Sequence, residues 1–160
     1  MGVALPTLNQ ANWQLKAFAW RYVPLIAFHR PKILMLSDDA IALRIKLGWL
    51  TRNHLRSMYF GSLCVGADLA GGFLVYVMAQ QQKLNLSFAF KAVQADFIKR
   101  PEADVVFTCQ AGQQIAMALQ QAISSQQRVN IPVNVSAQCP SISDDIVAKF
   151  SLTLSIKIKR

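Results

Sequence analysis

Residues 57–79 read SMYFGSLCVGADLAGGFLVYVMA, and this stretch decides the fold. Its only charged side chain is Asp68, near the middle, and every other residue is apolar, small or weakly polar. A helix that is apolar on all sides either crosses a membrane or lies deep inside a protein. Because a carboxylate is costly to bury in such surroundings, Asp68 is the leading candidate for a functional group.

The stretch is long enough to span a bilayer, so a membrane-associated protein is one interpretation. Asp68 argues against a span, because an ionised aspartate at mid-bilayer costs about 2.5–3.5 kcal/mol on insertion scales. The flanking sequence has strand patterns on both sides, which favours a sheet wrapped around one buried helix. We therefore predict a core helix from about residue 59 to residue 80, in an α+β protein with no membrane span.

The remaining sequence alternates between helical and strand patterns. Helical spacing predicts an N-terminal helix over 10–23, capped by Asn9 or Asn12 and ended by Pro24, with its Trp residues as packing anchors. Residues 112–127 are predicted to form another helix. Alternating apolar side chains predict strands over 32–37, 40–47, 85–99, 103–110, 128–138 and 146–158. Residues 1–160 are read as one domain, with a helical extension over 1–30 and a core over 32–160.

Composition limits the compartment and the partners. The net charge of +9 favours an anionic partner such as nucleic acid, a phosphorylated ligand or a membrane surface. The cations are mostly scattered and no nucleic-acid-binding motif accompanies them, so no nucleic-acid partner is expected. Three cysteines without CxxC spacing argue against zinc and a disulfide framework, which fits a cytoplasmic protein. The acidic pairs at 38–39 and 144–145 are read as turns, so no metal site is predicted.

Residues 53–61 read NHLRSMYFG, and Asp68 follows seven positions after Gly61, within the sequence ADLAGG of residues 67–72. With the order of elements, this motif resembles the hot-dog superfamily, in which a curved antiparallel sheet wraps a central helix and two protomers join edge to edge. The local sequence is similar to the phenylacetate-pathway (PaaI-like) acyl-CoA thioesterase branch. Tyr59 and Phe60 stand where that branch has a His and a Gly.

The resemblance implies a thioester hydrolase whose substrate is a coenzyme A thioester and which needs no cofactor. It implies that Asp68 is the acidic catalyst, that Asn53 orients water or the carbonyl, and that the N–H of Gly61 stabilises the oxyanion. It also implies a homodimer, or a tetramer built from two such dimers, in which the acid of one protomer faces the oxyanion donors of the other. The residues expected to contact the substrate are Ser57, Tyr59 and Phe60.

Several alternatives stay open at the sequence level. Tyr59 and Phe60 leave room for a non-catalytic hot-dog module that binds an acyl group or a protein partner. Asp68 then only makes hydrogen bonds within a dimer. His29 and His54 have no Ser or Cys at a recognisable spacing and are predicted to be surface or loop histidines. The basic side chains that are candidates for the coenzyme A phosphates are Lys91, Lys99, Arg100 and Arg128.

Overall fold

The structure is a computed structural model that describes residues 4–159. Its elements, in chain order, are α1 (Leu8–Tyr22), α2 (Pro24–His29), β1 (Lys32–Leu36), β2 (Ile41–Ile45), α3 (Phe60–Gln81), β3 (Leu86–Phe97), β4 (Val105–Cys109), α4 (Gly112–Ser125), β5 (Val129–Cys139) and β6 (Ser143–Ile158).

One antiparallel sheet contains all six strands, in the order β1-β2-β4-β5-β6-β3. The sheet curves around α3, whose residues form much of the hydrophobic core. This is the predicted hot-dog architecture, and the core helix and all six strands lie within a few residues of their predicted positions. The strands β1 and β3 lie at the two edges of the sheet.

The helix α3 is long and apolar enough to cross a membrane, but it is the core helix of this fold. Two of its glycines permit close contact with the sheet. A Cβ at Gly66 would overlap the fully buried ring of Phe107, and a Cβ at Gly71 would come within 3.1 Å of the Phe90 ring. The small residues of the motif therefore let the sheet close tightly around the helix.

The N-terminal helix differs from its prediction in its cap. Thr7 caps α1, and its hydroxyl accepts from the Gln10 N–H while the Gln10 side chain accepts from the Thr7 N–H. This reciprocal pair is a capping box, which satisfies two N–H groups at the helix start. Asn12, predicted as a cap, instead lies inside the helix and binds the edge strand β1. Its side chain accepts from the Ile33 N–H at 2.8 Å and donates to the Ile33 carbonyl at 3.0 Å.

The Trp residues of α1 are not packing anchors, which corrects a second prediction. The helix packs on the protein through Ala11, Leu15 and Ala19, which are almost fully buried. Trp13 and Trp20 point outward and are 70% and 65% exposed. The aromatic residues do follow helical spacing, but small side chains occupy the face that contacts β1, because the helix lies close to the sheet edge.

A short second helix, α2, was not predicted. Pro24 was read as the end of the N-terminal helix, and α1 does end at Tyr22. Pro24 also occupies the first turn of α2, where the missing N–H of proline costs nothing because no partner is needed there.

A second proline, Pro132, lies inside strand β5. It precedes Val135, which is the first residue of β5 that pairs with β4. At Pro132 the strand therefore has β6 as its one strand neighbour within residues 4–159, and proline is tolerated where one side of a strand is unpaired.

Candidate functional site

The loop before α3 is organised by Asn53. Its side-chain oxygen accepts hydrogen bonds from the backbone N–H groups of Leu55 and Ser57, at 2.9 and 3.2 Å, and from the Ser57 hydroxyl at 3.2 Å. Ser57 is buried, so this contact fixes the loop from the inside. Both predicted site residues therefore have structural roles in the loop. Within residues 4–159 the amide nitrogen of Asn53 makes no hydrogen bond and remains available at the cleft that the residue lines.

The N-terminus of α3 has no side-chain cap. Tyr59 is the N-cap residue in an extended conformation, and the first intrahelical hydrogen bond joins the Leu63 N–H to the Tyr59 carbonyl at 3.1 Å. The N–H groups of Phe60, Gly61 and Ser62 therefore lack intrahelical acceptors. Such a helix end carries a partial positive charge and can stabilise an oxyanion. The N–H of Gly61, the predicted oxyanion donor, is therefore one of the free donors at this helix end.

The Tyr59 ring lies against Gly61. A Cβ at position 61 would overlap this ring, so the glycine makes room for Tyr59. Tyr59 and Phe60 are in edge-to-face contact, with ring centroids 4.9 Å apart. Phe60 is also in edge-to-face contact with Phe97, with ring centroids 6.3 Å apart. Aromatic side chains thus cover the helix start, which is the place where the thioesterase branch has a small residue.

A cleft of about 400 Å³ lies beside this helix start. The predicted site residues that line it are Asn53, Ser57, Tyr59 and Phe60. Of the four predicted phosphate-binding cations, Lys99 and Arg100 also line it, whereas Lys91 and Arg128 do not. Lys99 already forms a 2.6 Å salt bridge with Asp145, so Arg100 is the freer cation at the cleft. His54, read as a loop histidine, is exposed and lies at the same cleft.

Asp68 lies on α3, seven residues beyond Gly61 and so about 10 Å further along the helix axis. It lines a second cavity, of about 220 Å³, whose other lining side chains are apolar or aromatic. Solvent reaches the carboxylate, but desolvation by the surrounding protein raises the pKa of Asp68. Within residues 4–159 the carboxylate has no hydrogen-bond or salt-bridge partner. A solvent-accessible, unpartnered carboxylate with a raised pKa is well suited to accept a proton.

The two cavities share no lining residue. One chain alone therefore does not bring Asp68 together with Asn53 or Gly61, although α3 carries both the acid and the oxyanion donors. The helices α1 and α2 and the residue between them form part of the wall of the Asp68 cavity, through Phe18, Val23, Leu25 and Ile26.

One polar pair was not predicted, and it places His29, predicted as a surface or loop histidine, half-buried at the end of helix α2. His29 Nδ1 lies 2.7 Å from the Leu25 carbonyl, which can only accept, so in the neutral ring Nε2 accepts from the Ser62 hydroxyl at 3.1 Å. His29 and Ser62 are 33 residues apart, and no spacing in the sequence signals the contact. Because Ser62 is buried, the pair ties α2 to α3 and does not present a reactive hydroxyl.

The thiols offer no reactive group. Burial raises the pKa of Cys64, and it raises the pKa of Cys109 to about 11. Thiols of this kind stay protonated near neutral pH and pack as small apolar side chains. Among residues 4–159, no three His, Cys, Asp or Glu side chains are grouped so that they could hold a metal ion.

The sequence matches one known protein family over most of its length. Residues 11–156 match the family described as Domain of unknown function (DUF4442). The chain belongs to this family. The match covers the motif, the core helix and all but the last strand residues, so this DUF4442 protein carries both candidate cavities within the family's own domain. No curated protein matches the sequence.

Solved structures are similar to this DUF4442 protein over nearly their whole length. A Chlorobaculum tepidum protein of unknown function has 18% identity and a TM-score of 0.84, covering 98% of this chain and 100% of its own. A candidate thioesterase from Shewanella oneidensis has 14% identity and a TM-score of 0.79, covering 94% and 99%. A thioesterase from Haemophilus influenzae has 11% identity and a TM-score of 0.71, covering 98% and 94%. At these identities the similarity establishes the fold alone, which is the hot-dog fold.

Proposed function

We propose that this protein hydrolyses an acyl thioester, with a coenzyme A thioester as the substrate and Asp68 as the acidic catalyst. The observation that carries the proposal is the unpartnered Asp68 carboxylate, set among apolar side chains with a raised pKa. The small apolar cavity around it suits an acyl chain better than a polar metabolite. The thioesterase descriptions of several similar structures favour the same reaction.

The reaction needs a base for water and donors for the developing oxyanion. As general base, Asp68 takes a proton from a water molecule whose oxygen attacks the thioester carbonyl carbon. The free N–H groups at the start of α3 stabilise the oxyanion. The C–S bond then breaks, the proton passes to the leaving sulfur, and the products are a carboxylic acid and a thiol. The same carboxylate could attack directly as a nucleophile, and water would then hydrolyse the anhydride.

A homodimer completes this site in the proposal. Asp68 and Gly61 are too far apart on α3 to serve one carbonyl, and Asp68 does not line the cleft beside the helix start. The outer edge of β3 has no strand partner within residues 4–159, which suits pairing with a second copy. In such a dimer, the acid of one protomer would work with the helix start and Asn53 of its partner.

Hydrolysis is tested by thiol release from acyl-CoAs of several chain lengths. Asp68→Asn and Asp68→Ala are expected to lower kcat/KM by about 10²–10⁴-fold, the usual contribution of a general base. Asp144→Asn, which removes an exposed carboxylate from the start of β6, where a turn was predicted, is the matched control and should keep wild-type activity. Equal rates for the wild type and the Asp68 variants would refute the assignment.

Sharing of the site between protomers is tested with two variants of Gly61. Gly61→Pro removes the N–H donor in the first helical turn, where proline is tolerated, whereas Gly61→Ala adds a Cβ but keeps the N–H. Only the proline variant is expected to lose oxyanion stabilisation. Inactive Asp68→Asn and Gly61→Pro chains, unfolded and refolded together in equal amounts, should recover about a quarter of wild-type activity, because half of the dimers would contain one intact site. No recovery would mean that the acid and the donors act within one chain.

A binding module without turnover is the second candidate function. Its basis is the aromatic cover over the helix start, where the Tyr59 ring occupies the space beside Gly61. Tight binding of a non-hydrolysable acyl-CoA thioether, measured by calorimetry, together with no thiol release from any acyl-CoA, would favour this function. Robust turnover by the wild type would eliminate it.

A further inference from the structure

A groove of about 890 Å³ lies between α1, the start of β1 and β2, away from both cavities of the candidate site. We call it the basic–aromatic groove. Its wall contains two Trp side chains and five cations, namely Trp13, Trp20, Lys16, Arg30, Lys32, Arg44 and Lys46.

The cations of this groove have almost no opposing charge. Residues 1–37 contain four Lys or Arg residues and not one Asp or Glu. Within residues 4–159 the only salt bridge that involves the groove joins Arg44 to Asp104 at 3.8 Å, and both side chains are partly exposed. Cations gathered on one side of the molecule without counterions give it a positive potential that attracts anionic partners.

The two Trp side chains are not needed for the fold of α1. The helix is anchored by its buried face of Ala11, Leu15 and Ala19, and Asn12 fixes it to β1. Trp13 and Trp20 stand on the opposite side, and Trp20 contacts Phe28 edge-on at 6.0 Å. Tyr22, Leu25 and Phe28 on α1 and α2 are also exposed, and Leu25 lines the Asp68 cavity as well. Exposed tryptophan and tyrosine beside cations are typical of surfaces that enter the interface of a bilayer.

The groove would stay open in the proposed dimer. It lies at the β1 edge, and β3 is at the opposite edge of the sheet. The Asn12 side chain already occupies the N–H and carbonyl of Ile33, which hinders addition of another strand at β1. A second copy that pairs through strands is therefore not a suitable occupant of this edge.

We infer that the basic–aromatic groove docks this protein onto an anionic phospholipid bilayer. The cations meet lipid phosphates while Trp13 and Trp20 enter the headgroup region. Single-stranded nucleic acid also binds surfaces with cations and aromatic rings. The exposed aliphatic side chain of Leu25 favours lipid, because bases stack on aromatic rings, whereas aliphatic side chains enter the apolar part of a bilayer. This inference does not depend on thioester hydrolysis.

The test is co-sedimentation of the full chain with vesicles of phosphatidylcholine alone or mixed with phosphatidylglycerol. The wild type should bind the mixed vesicles strongly, bind phosphatidylcholine weakly, and dissociate as salt is raised. Lys16→Gln/Arg30→Gln is expected to weaken binding about 25-fold, at about fivefold for each cation. Trp13→Ala/Trp20→Ala is expected to weaken it about tenfold or more. All four positions are exposed, so these variants should keep the wild-type melting temperature.

Matched controls separate the groove from general charge and hydrophobicity. Lys149→Gln/Lys157→Gln removes two exposed cations from β6, and Trp49→Ala removes an exposed Trp from the loop after β2. Both should bind like the wild type. The inference is overturned if groove and control variants bind equally, or if an oligonucleotide competes the protein off the vesicles. It is also overturned if the Trp13→Ala/Trp20→Ala variant changes the oligomeric state in light scattering, which would identify the surface as a contact between copies.

Discussion

A single carboxylate dominates the chemistry of this protein at the scale of the residue. Asp68 faces side chains such as Val65, Leu69 and Phe88 on one side, which cannot solvate its charge, while solvent reaches it on the other. No cation or N–H group within residues 4–159 offsets the free-energy cost of partly desolvating the carboxylate. The pKa of Asp68 is raised as a direct result. Because the carboxylate makes no bond within residues 4–159, it does not hold the fold together, and a raised pKa beside a cavity is typical of a functional group.

The raised pKa of Asp68 makes stability depend on pH in a defined direction. The folded chain keeps this proton at a pH where the unfolded chain has released it, so the folded state binds more protons and ionisation lowers the free energy of unfolding. Asp68→Asn removes this cost. Its melting temperature should exceed that of the wild type at neutral pH, and the difference should shrink as the pH falls through the raised pKa of Asp68 and be gone below the ordinary pKa of an aspartate. Calorimetry at several pH values measures this.

Asp145 gives a control of opposite sign for that experiment. Its contacts with Lys99 and Ser143 lower the pKa of this carboxyl, so its stabilising effect is present above the ordinary pKa and disappears in acid. Asp145→Asn should therefore melt at or below the wild-type temperature at neutral pH. A melting-temperature difference for Asp68→Asn that stays constant with pH would contradict the assigned pKa shift.

At the scale of the element, periodicity predicted most of the fold. The apolar run of α3 and the alternating strands were read correctly, because a buried helix and half-buried strands impose strong patterns. The face of α1 was misread because Trp13 and Trp20 share a helical stripe, whereas the buried stripe consists of smaller residues. The link between His29 and Ser62, and the separation of Asp68 from the cleft, depend on tertiary contacts that no local pattern reports.

Two glycines of α3 make a matched pair for testing how closely the sheet wraps the helix. Gly66→Ala would press its Cβ into the buried Phe107 ring, and overpacking of this kind costs about 1–3 kcal/mol. Gly72→Ala would find its nearest neighbour at 3.5 Å, an ordinary contact, and gains up to about 1 kcal/mol of helix propensity. Denaturant unfolding should show the first variant destabilised and the second neutral or stabilised. Equal effects would mean that Phe107 moves freely.

The contact between α1 and the edge strand β1 is tested by a second matched pair. Asn12→Ala removes both side-chain bonds to Ile33 and is expected to lower the free energy of unfolding by about 1–2 kcal/mol. Asn9→Ala changes an exposed asparagine on the same helix and should leave stability nearly unchanged. Amide exchange at Ile33 should also accelerate only in the Asn12 variant. Unchanged exchange would show that the helix does not protect this edge.

At the scale of the whole molecule, the two edges of the sheet are treated differently. At β1, the Asn12 side chain and the body of α1 cover the backbone. At β3, a strand of 12 residues has β6 on one side and no strand on the other within residues 4–159. Long open edges pair with other chains unless something blocks them. The apolar side chains Val93, Phe97 and Ile98 on and beside β3 remain exposed, and they would be covered by such pairing.

We therefore expect the protein to be a dimer in solution, with twice the chain mass of 17.8 kDa in light scattering. Val93→Asp places a charge on the open strand, and in a symmetric pair two such charges would approach each other across the axis. This variant should shift the mass toward the monomer at low concentration and lose activity with it, because each site would lack its partner's helix start. Lys157→Asp on β6 is the control and should stay dimeric. A monomeric wild type that remains fully active would contradict both the dimer and the shared site.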